Sequence, residues 1–170
     1  MFKHSKLRLI LVLMGFLILF SCRKKENYPD TPHIEFKSFS KIQNATIYDD
    51  KGIVTLSFTD GNGDIGLAMG DTFSPYSPGS PYYYNFFIQY FERQMGVWTK
   101  VEPPLPFNAR IPLINPSGKE MPLSGDLQME IYINNPLSTY DTIRFELYIL
   151  DRALNQSNSI TTPEIIVKKH

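Results

Sequence analysis

Oxygen-bearing side chains recur at alternate positions immediately after one of the most regular apolar patterns in the chain. Asp60, Asn62 and Asp64 follow the alternating segment 53–59, and glycines at positions 61 and 63 separate them. Carboxylate and amide oxygens are the ligands that calcium prefers, and glycine allows the backbone to curl around an ion. The loop therefore predicts a calcium site. The alternative is a solvated turn in which Asp and Asn side chains cap backbone groups.

A second acidic turn begins at Asp151, directly after another alternating segment. In an immunoglobulin-like strand order, the two strands that precede these turns end at the same pole of the sandwich, so the turns are neighbours. Asp151 is therefore expected to complete the metal shell. Asp71 stands at the twelfth position counted from Asp60, and this spacing resembles an EF-hand calcium loop. Ile65 replaces the glycine of the EF-hand, and no flanking helix is predicted, which favours a β-sandwich loop with similar oxygen spacing. The candidate metal ligands are Asp60, Asn62, Asp64, Asp71 and Asp151.

The elements that must position these residues are short strands. Strands are predicted at 33–41, 52–59, 82–93, 97–101, 127–134, 143–150 and 159–168. Alternation is clearest in 52–59, 127–134 and 143–150, whereas 82–93 is aromatic on both faces. No segment after residue 22 has a sustained helical period, and the chain contains 13 prolines that interrupt the intervals. About seven antiparallel strands predict an all-β, immunoglobulin-like β-sandwich, with an open barrel as the alternative.

The N-terminal segment has the layout of a secretory signal peptide. Three basic residues precede an apolar run at 9–20, which is shorter than the roughly 20 residues that a bilayer-spanning helix needs. The residues LFSC at 19–22 resemble a bacterial lipobox, which implies that Cys22 is lipidated and becomes the mature N-terminus. The alternative is a free cysteine after an ordinary export signal. We expect a signal peptide at 1–21, a lipidated tether at 22–32 and one domain at 33–170.

Charge and cysteine content limit the possible functions. Cleavage before Cys22 removes three basic residues and leaves 149 residues with 14 basic and 17 acidic side chains, a net charge of −3. This balance argues against nucleic-acid binding, which favours basic surfaces. Cys22 is the only cysteine in the chain, so an intramolecular disulfide is impossible.

Seven aromatic residues lie between positions 82 and 91. Alternation would place Tyr83, Phe87 and Phe91 on one face, where they could form a stacking platform for a sugar or a peptide. The alternative is a central strand that is covered by the long proline-rich connection at 102–124.

Catalytic patterns are weak. Histidines occur at positions 4, 33 and 170, so a Ser/His/Asp or Cys/His arrangement lacks a suitably placed base. A carboxylate pair drawn from Glu92, Glu130 and Glu146 could serve glycan hydrolysis, but these residues are expected on the polar faces of strands. The sequence predicts a non-catalytic protein, with an envelope hydrolase as the alternative.

Two motifs carry a resemblance to a group of proteins. The segments FTDGNGDIG and LDRALNQSN resemble the immunoglobulin-like or fibronectin-like domains of Bacteroidetes-type envelope lipoproteins, in which similar turns recur. Leu154 stands where a glycine is usual in the second motif. The resemblance implies a location in the cell envelope, and with the lipid anchor we expect the outer membrane, with its periplasmic and surface faces both open. It also implies binding or scaffolding for a protein or glycan partner.

Overall fold

The computed structural model describes residues 27–42, 47–103 and 106–169. Within these ranges the chain is all-β and contains no helix. The described strands are β1 (His33–Lys41), β2 (Lys51–Asp60), β3 (Phe86–Gln94), β4 (Val97–Val101), β5 (Leu123–Tyr132), β6 (Thr142–Ile149), β7 (Ile160–Thr161) and β8 (Ile165–Ile166). The predicted signal peptide and Cys22 lie outside the described residues. Among those residues, no helix has the length and apolar character that crossing a membrane requires.

The strands form two antiparallel sheets. One has the order β1-β2-β5, and the other has the order β4-β3-β6-β7, with β8 also paired to β6. This arrangement confirms the predicted β-sandwich. Taking β1, β2 and β5 as strands A, B and E, and β4, β3, β6 and β7 as strands C′, C, F and G, gives the immunoglobulin-like order.

The core lies between the sheets because β2 and β6 alternate strictly between buried and half-buried positions. Leu56 of β2, together with Phe145 and Leu147 of β6, belongs to one buried apolar cluster. Burial of each such side chain contributes about 2 kcal/mol of favourable transfer free energy. The period-two pattern of the sequence is therefore also the pattern of the core.

The aromatic strand begins later than predicted, at Phe86 rather than at position 82. Asn85 is buried, and its side-chain oxygen accepts a hydrogen bond from the Ile111 amide at 2.6 Å. This bond ties Asn85 to the connection at 102–124, while its carbonyl accepts a hydrogen bond from the Leu150 amide at 2.9 Å, just beyond β6. The same connection closes the core, since Phe107 packs edge-on against Tyr90 at a ring-centroid distance of 5.7 Å.

The predicted last strand is divided into β7 and β8. Pro163 lies between them and has no N–H to donate to a ladder. The Thr162 hydroxyl substitutes for part of the ladder by accepting a hydrogen bond from the Phe145 amide at 3.0 Å. The β5 prediction was also displaced, because β5 spans 123–132 and its first residues pair with the end of β2.

The end of the predicted tether already packs on the domain. The Gly61 amide donates to the Pro29 carbonyl at 2.8 Å, and a Cβ added to Gly61 would lie 2.3 Å from the Tyr28 carbonyl oxygen. Only a glycine at position 61 permits this close approach. Residues 28–29 are therefore fixed against the first acidic loop.

The registers define two ends of the sandwich. Asp60 pairs with Leu123 at the start of β5, and Asp151 follows the end of β6; we call this the acidic end. Glu92 pairs with Ile143 near the start of β6, and we call the region around it the Glu92 end. The two ends lie at opposite limits of β3 and β6.

Candidate metal site and aromatic face

The two acidic turns lie side by side at the acidic end, as the predicted strand order implied. Ile65 and Asp151 form an isolated antiparallel bridge. The Arg152 amide donates to the Asp64 carbonyl at 3.2 Å, and the Ala153 amide donates to Asp64 Oδ2 at 3.2 Å. Backbone contacts thus hold the first turn directly against the second.

Asp60 is fully buried at the centre of this contact. Its Oδ2 accepts a hydrogen bond from the Asp64 amide at 2.9 Å, whereas its Oδ1 has no hydrogen-bond partner among the described residues. Burial, followed by the negative charges of Asp64 and Asp151, raises the pKa of Asp60 to about 6. The ionised form of Asp60 is therefore poorly stabilised by its surroundings.

Asp64 has a similar deficit. Its Oδ1 is buried and has no partner in the described structure. Burial and the charge of Asp151 raise the pKa of Asp64, although the Ala153 amide and the nearby Arg152 act in the opposite direction. Two adjacent carboxylates thus each present one unsatisfied oxygen.

Asp151 is buried as well, but Asn155 occupies both of its oxygens. The Asn155 amide donates to Oδ1 at 2.7 Å, and Asn155 Nδ2 donates to Oδ2 at 2.8 Å. The Asn62 side-chain oxygen accepts only a long contact from the Asp64 amide, at 3.4 Å. In the described residues no three His, Cys, Asp or Glu side chains are arranged as a complete metal-ligand group. The residues that best fit a hard cation are therefore Asp60 and Asp64, with Asn62 and Asp151 beside them.

The fifth candidate ligand, Asp71, is engaged elsewhere. Its carboxylate accepts hydrogen bonds from Arg152 Nη1 at 2.5 Å and from the Ala68 amide at 2.7 Å. The hydrogen bond from Arg152 lowers the pKa of Asp71. Asp71 therefore fastens the loop that follows β2, and the structure gives it the role of an ion-pair partner. Ile65, at the EF-hand glycine position, is a fully buried core residue.

Two arginines that the sequence analysis did not single out order this long loop. Arg110 donates to the carbonyls of Tyr83, Asp71 and Ala68 at 2.6, 3.1 and 3.3 Å. Tyr76 donates its hydroxyl proton to the Arg152 carbonyl. The position of Arg152, directly after Asp151, was a usable signal, whereas nothing in the local sequence marked Arg110.

The ordered loop forms one wall of a groove at the acidic end. The cavity has a volume of about 460 Å³, and the residues lining it include Asn62, Asp64, Asp71, Asn115 and Arg152. Asp60 and Asp151 do not line the groove. Among Asp60, Asp64 and Asp151, Asp64 is the one that both lines the groove and contacts Asp60 and the second acidic turn.

The predicted aromatic platform has a different composition in the structure. Phe87 and Phe91 lie half-buried on the outer face of β3, but Tyr83 precedes the strand and packs against Tyr84 and Arg110. The outer face gains two other rings, and both are placed by strand pairing. Tyr148 of β6 stacks on Phe87 at 4.8 Å, and Trp98 of β4 lies beside Arg144, which also approaches Phe91. The proline-rich connection packs on the inner side of β3 through Phe107, and it also borders a groove beside Phe87 and Tyr148.

The carboxylates considered for hydrolysis do not form a pair. Glu130 lies on the outer side of the first sheet, bonded to Lys51 at 2.6 Å, and Glu146 lies on the second sheet. Glu92 was expected on a polar face but is buried in the core. Burial raises the pKa of Glu92, yet hydrogen bonds, led by those from Ser138 and Gln94, outweigh burial and lower it.

Comparison of the chain with protein-family models, with curated proteins and with solved structures finds no match.

Proposed function

We propose that this chain is a lipid-anchored protein of the cell envelope whose β-sandwich binds a protein or glycan partner without catalysing a reaction, with a structural calcium ion at its acidic end. One observation supports the calcium site above all others. Asp60 Oδ1 and Asp64 Oδ1 are buried without a hydrogen-bond donor. A buried carboxylate oxygen without a donor costs free energy, and a cation between two such oxygens would remove that cost.

The chemistry of the surrounding groups favours calcium. The candidate ligand oxygens belong to Asp60, Asn62 and Asp64, with Asp151, which accepts hydrogen bonds from Asn155, beside them. Hard oxygen ligands of this kind select calcium over transition metals. The nearest guanidinium, that of Arg152, is paired with Asp71. A cation would thus meet negative charge that no described side chain already neutralises by an ion pair.

The binding role is supported by the ordered loops at the same end. The hydrogen bonds from Arg110 and Arg152 fix the loop after β2, so the groove needs little further ordering to receive a partner. Hydrolysis has less support because Glu92, Glu130 and Glu146 lie apart and Glu92 is saturated with donors.

Removal of calcium tests the metal site. For the full chain in detergent, calcium at 100 times its dissociation constant should stabilise the folded state by about 2.7 kcal/mol, which corresponds to a rise in melting temperature of roughly 5–10 °C over chelated protein. Asp60→Asn should abolish this rise. Asp126→Asn is the matched control, because Asp126 is an exposed partner of Lys37. A wild-type melting temperature that is the same in calcium and in chelator would contradict the site.

The envelope anchor rests on the sequence of residues 1–22 and has its own test. Cys22→Ala should move the protein from the membrane fraction to the soluble fraction after cell breakage. Continued membrane association of the Cys22→Ala protein would contradict lipidation at this residue.

A further inference from the structure

We infer that the outer face of the second sheet binds an acidic glycan, and that Arg144 receives a carboxylate of that ligand. We call this surface the Arg144 face and define it by Phe87, Phe91, Trp98, Arg144 and Tyr148. The inference rests on the proposal that this protein binds a protein or glycan partner, and it assigns a glycan to a surface separate from the groove at the acidic end.

Arg144 differs from the other arginines in the described part of the chain. Those others, Arg93, Arg110 and Arg152, all donate to oxygen acceptors. Arg144 makes no ion pair or hydrogen bond with any described residue, and its Nε is buried without an acceptor. An unpaired guanidinium on a protein surface is suited to receive a carboxylate, with which it forms two parallel hydrogen bonds.

Two aromatic rings hold the guanidinium of Arg144 in place. Its central carbon lies 4.4 Å from the centroid of the Trp98 ring and 5.5 Å from that of Phe91. Cation–π contacts of this kind restrict the side chain without using its N–H donors. Arg144 is therefore ordered before a ligand arrives, and its terminal Nη groups, unlike the buried Nε, remain for a ligand.

The position of Arg144 in the sheet favours a glycan over an extended peptide. Peptides that bind to sheets usually add to an edge strand through backbone hydrogen bonds. Arg144 is on β6, which has β3 on one side and β7 with β8 on the other. A ligand must therefore lie across the face, where aromatic rings suit the C–H faces of sugars.

The remaining groups on the face match an oligosaccharide. The Phe87–Tyr148 pair and the Phe91–Arg144 pair are separated in register by Gln89 opposite Glu146, which offer an amide and a carboxylate to hydroxyl groups. Along β3, Phe87 and Phe91 are about 13 Å apart, a distance that a short oligosaccharide spans. The other cations of this face are already neutralised: Arg93 pairs with Glu164, and Lys100 pairs with Glu102. Arg144 is thus the cation left for the ligand.

The test compares an oligomer of glucuronic acid with the same oligomer after methyl esterification, by titration calorimetry on the full chain in detergent at fixed calcium. The wild-type protein should bind the acid form about tenfold or more tightly than the ester. Arg144→Gln should remove this preference. Arg93→Gln is the matched control on the same face and should keep it, because that guanidinium already pairs with Glu164.

Several results would overturn the inference: no binding of the acid form, equal affinity for acid and ester, an unchanged preference in Arg144→Gln, or equal affinity for a polyglutamate peptide. If Arg144→Gln fails to fold, Trp98→Ala serves as the second variant and should also weaken binding of the acid form. Binding of the neutral ester alone would leave the proposed binding function intact. Failure of the calcium response would count against the metal site without altering the glycan result.

Discussion

Glu92 at one end of the sandwich and Asp60 at the other are both buried carboxylates, but they differ in the number of hydrogen bonds that they accept. Glu92 accepts hydrogen bonds from Ser138 at 2.7 Å, Tyr90 at 2.9 Å, Asn135 at 3.0 Å and Gln94 at 3.1 Å. Asp60 accepts one from the Asp64 amide and leaves its other oxygen unpaired. Accordingly, the pKa of Glu92 is lowered, whereas that of Asp60 is raised to about 6.

The difference shows that burial alone does not decide the role of a carboxylate. At the Glu92 end, donors from β3 and from the connection between β5 and β6 converge on one ionised group, which holds that connection in place. At the acidic end, Asp60 and Asp64 each leave one buried oxygen without a donor, and the pKa of each is raised. The first arrangement is complete within the chain, and the second favours a cation.

The largest expected effect comes from deleting the satisfied carboxylate. Glu92→Ala would leave several buried donors without an acceptor and should reduce the free energy of unfolding by about 4 kcal/mol. Chemical denaturation of the full chain measures this loss. Glu130→Ala, at an exposed glutamate on the other sheet, is the control and should change stability little. A small effect of Glu92→Ala would mean that the two ends are not energetically different.

The pH dependence of stability separates the two ends by sign. Without calcium, Asp60 binds its proton more tightly in the folded state than in the unfolded state, because burial raises its pKa to about 6, well above the ordinary range of an aspartate. Its contribution to the free energy of unfolding should therefore rise by about 1 kcal/mol as pH falls from about 7 to about 5. At lower pH, Glu92 acts in the opposite direction, since its lowered pKa means that its stabilisation is lost on protonation.

Denaturation in chelator at a series of pH values tests this expectation, with Asp60→Asn as the comparison. The variant should lack the gain between neutral and mildly acidic pH. Because the proposed calcium ion requires ionised carboxylates, it should also stabilise the wild-type protein more at neutral pH than at mildly acidic pH. An identical pH profile for wild type and Asp60→Asn would remove the assigned difference between the ends.

The smallest expected effect concerns backbone strain, which occurs once at each end. Met95, in the hairpin beyond Glu92, has φ 50°, and Leu154, in the turn after Asp151, has φ 66°. Met95 is 93% exposed, so Met95→Asn should relieve strain without loss of packing and stabilise the fold by about 0.5 kcal/mol. Gly96→Ala, at φ 85° in the same turn, should have the opposite sign. A destabilising Met95→Asn would show that the turn is not strained.

Much of the fold was predictable because β2 and β6 carry a strict period-two pattern whose apolar half is the core. The meeting of the turns at Asp60 and Asp151 was predictable for a related reason: strand order determines which strand ends share a pole. Leu154 also has a physical explanation, since it adopts the positive φ that a glycine would adopt more easily at that position.

The errors arose where a residue's role depends on a distant partner. Asp71 follows the spacing of a calcium loop, but Arg152, 81 positions away, takes its carboxylate. Tyr83 fits the alternation of β3, but β3 begins only at Phe86. The side chain of Asn85, just before the strand, is bonded to Ile111 instead. Glu92 fits a polar strand position, but Asn135 and Ser138 in the connection after β5 cover it and donate hydrogen bonds to it. No local pattern contains these contacts.

The docking of residues 28–29 beside Gly61 would set the orientation of the protein at a membrane under the proposed lipid anchor. If Cys22 carries lipid, the six steps of chain from Cys22 to Tyr28 allow a separation of at most about 20 Å. The acidic end would then face the bilayer, close to the head groups, while the strands extend outward. The hairpin at Met95 and the connection after β5 would form the distal tip, the first part of the molecule that an approaching partner meets.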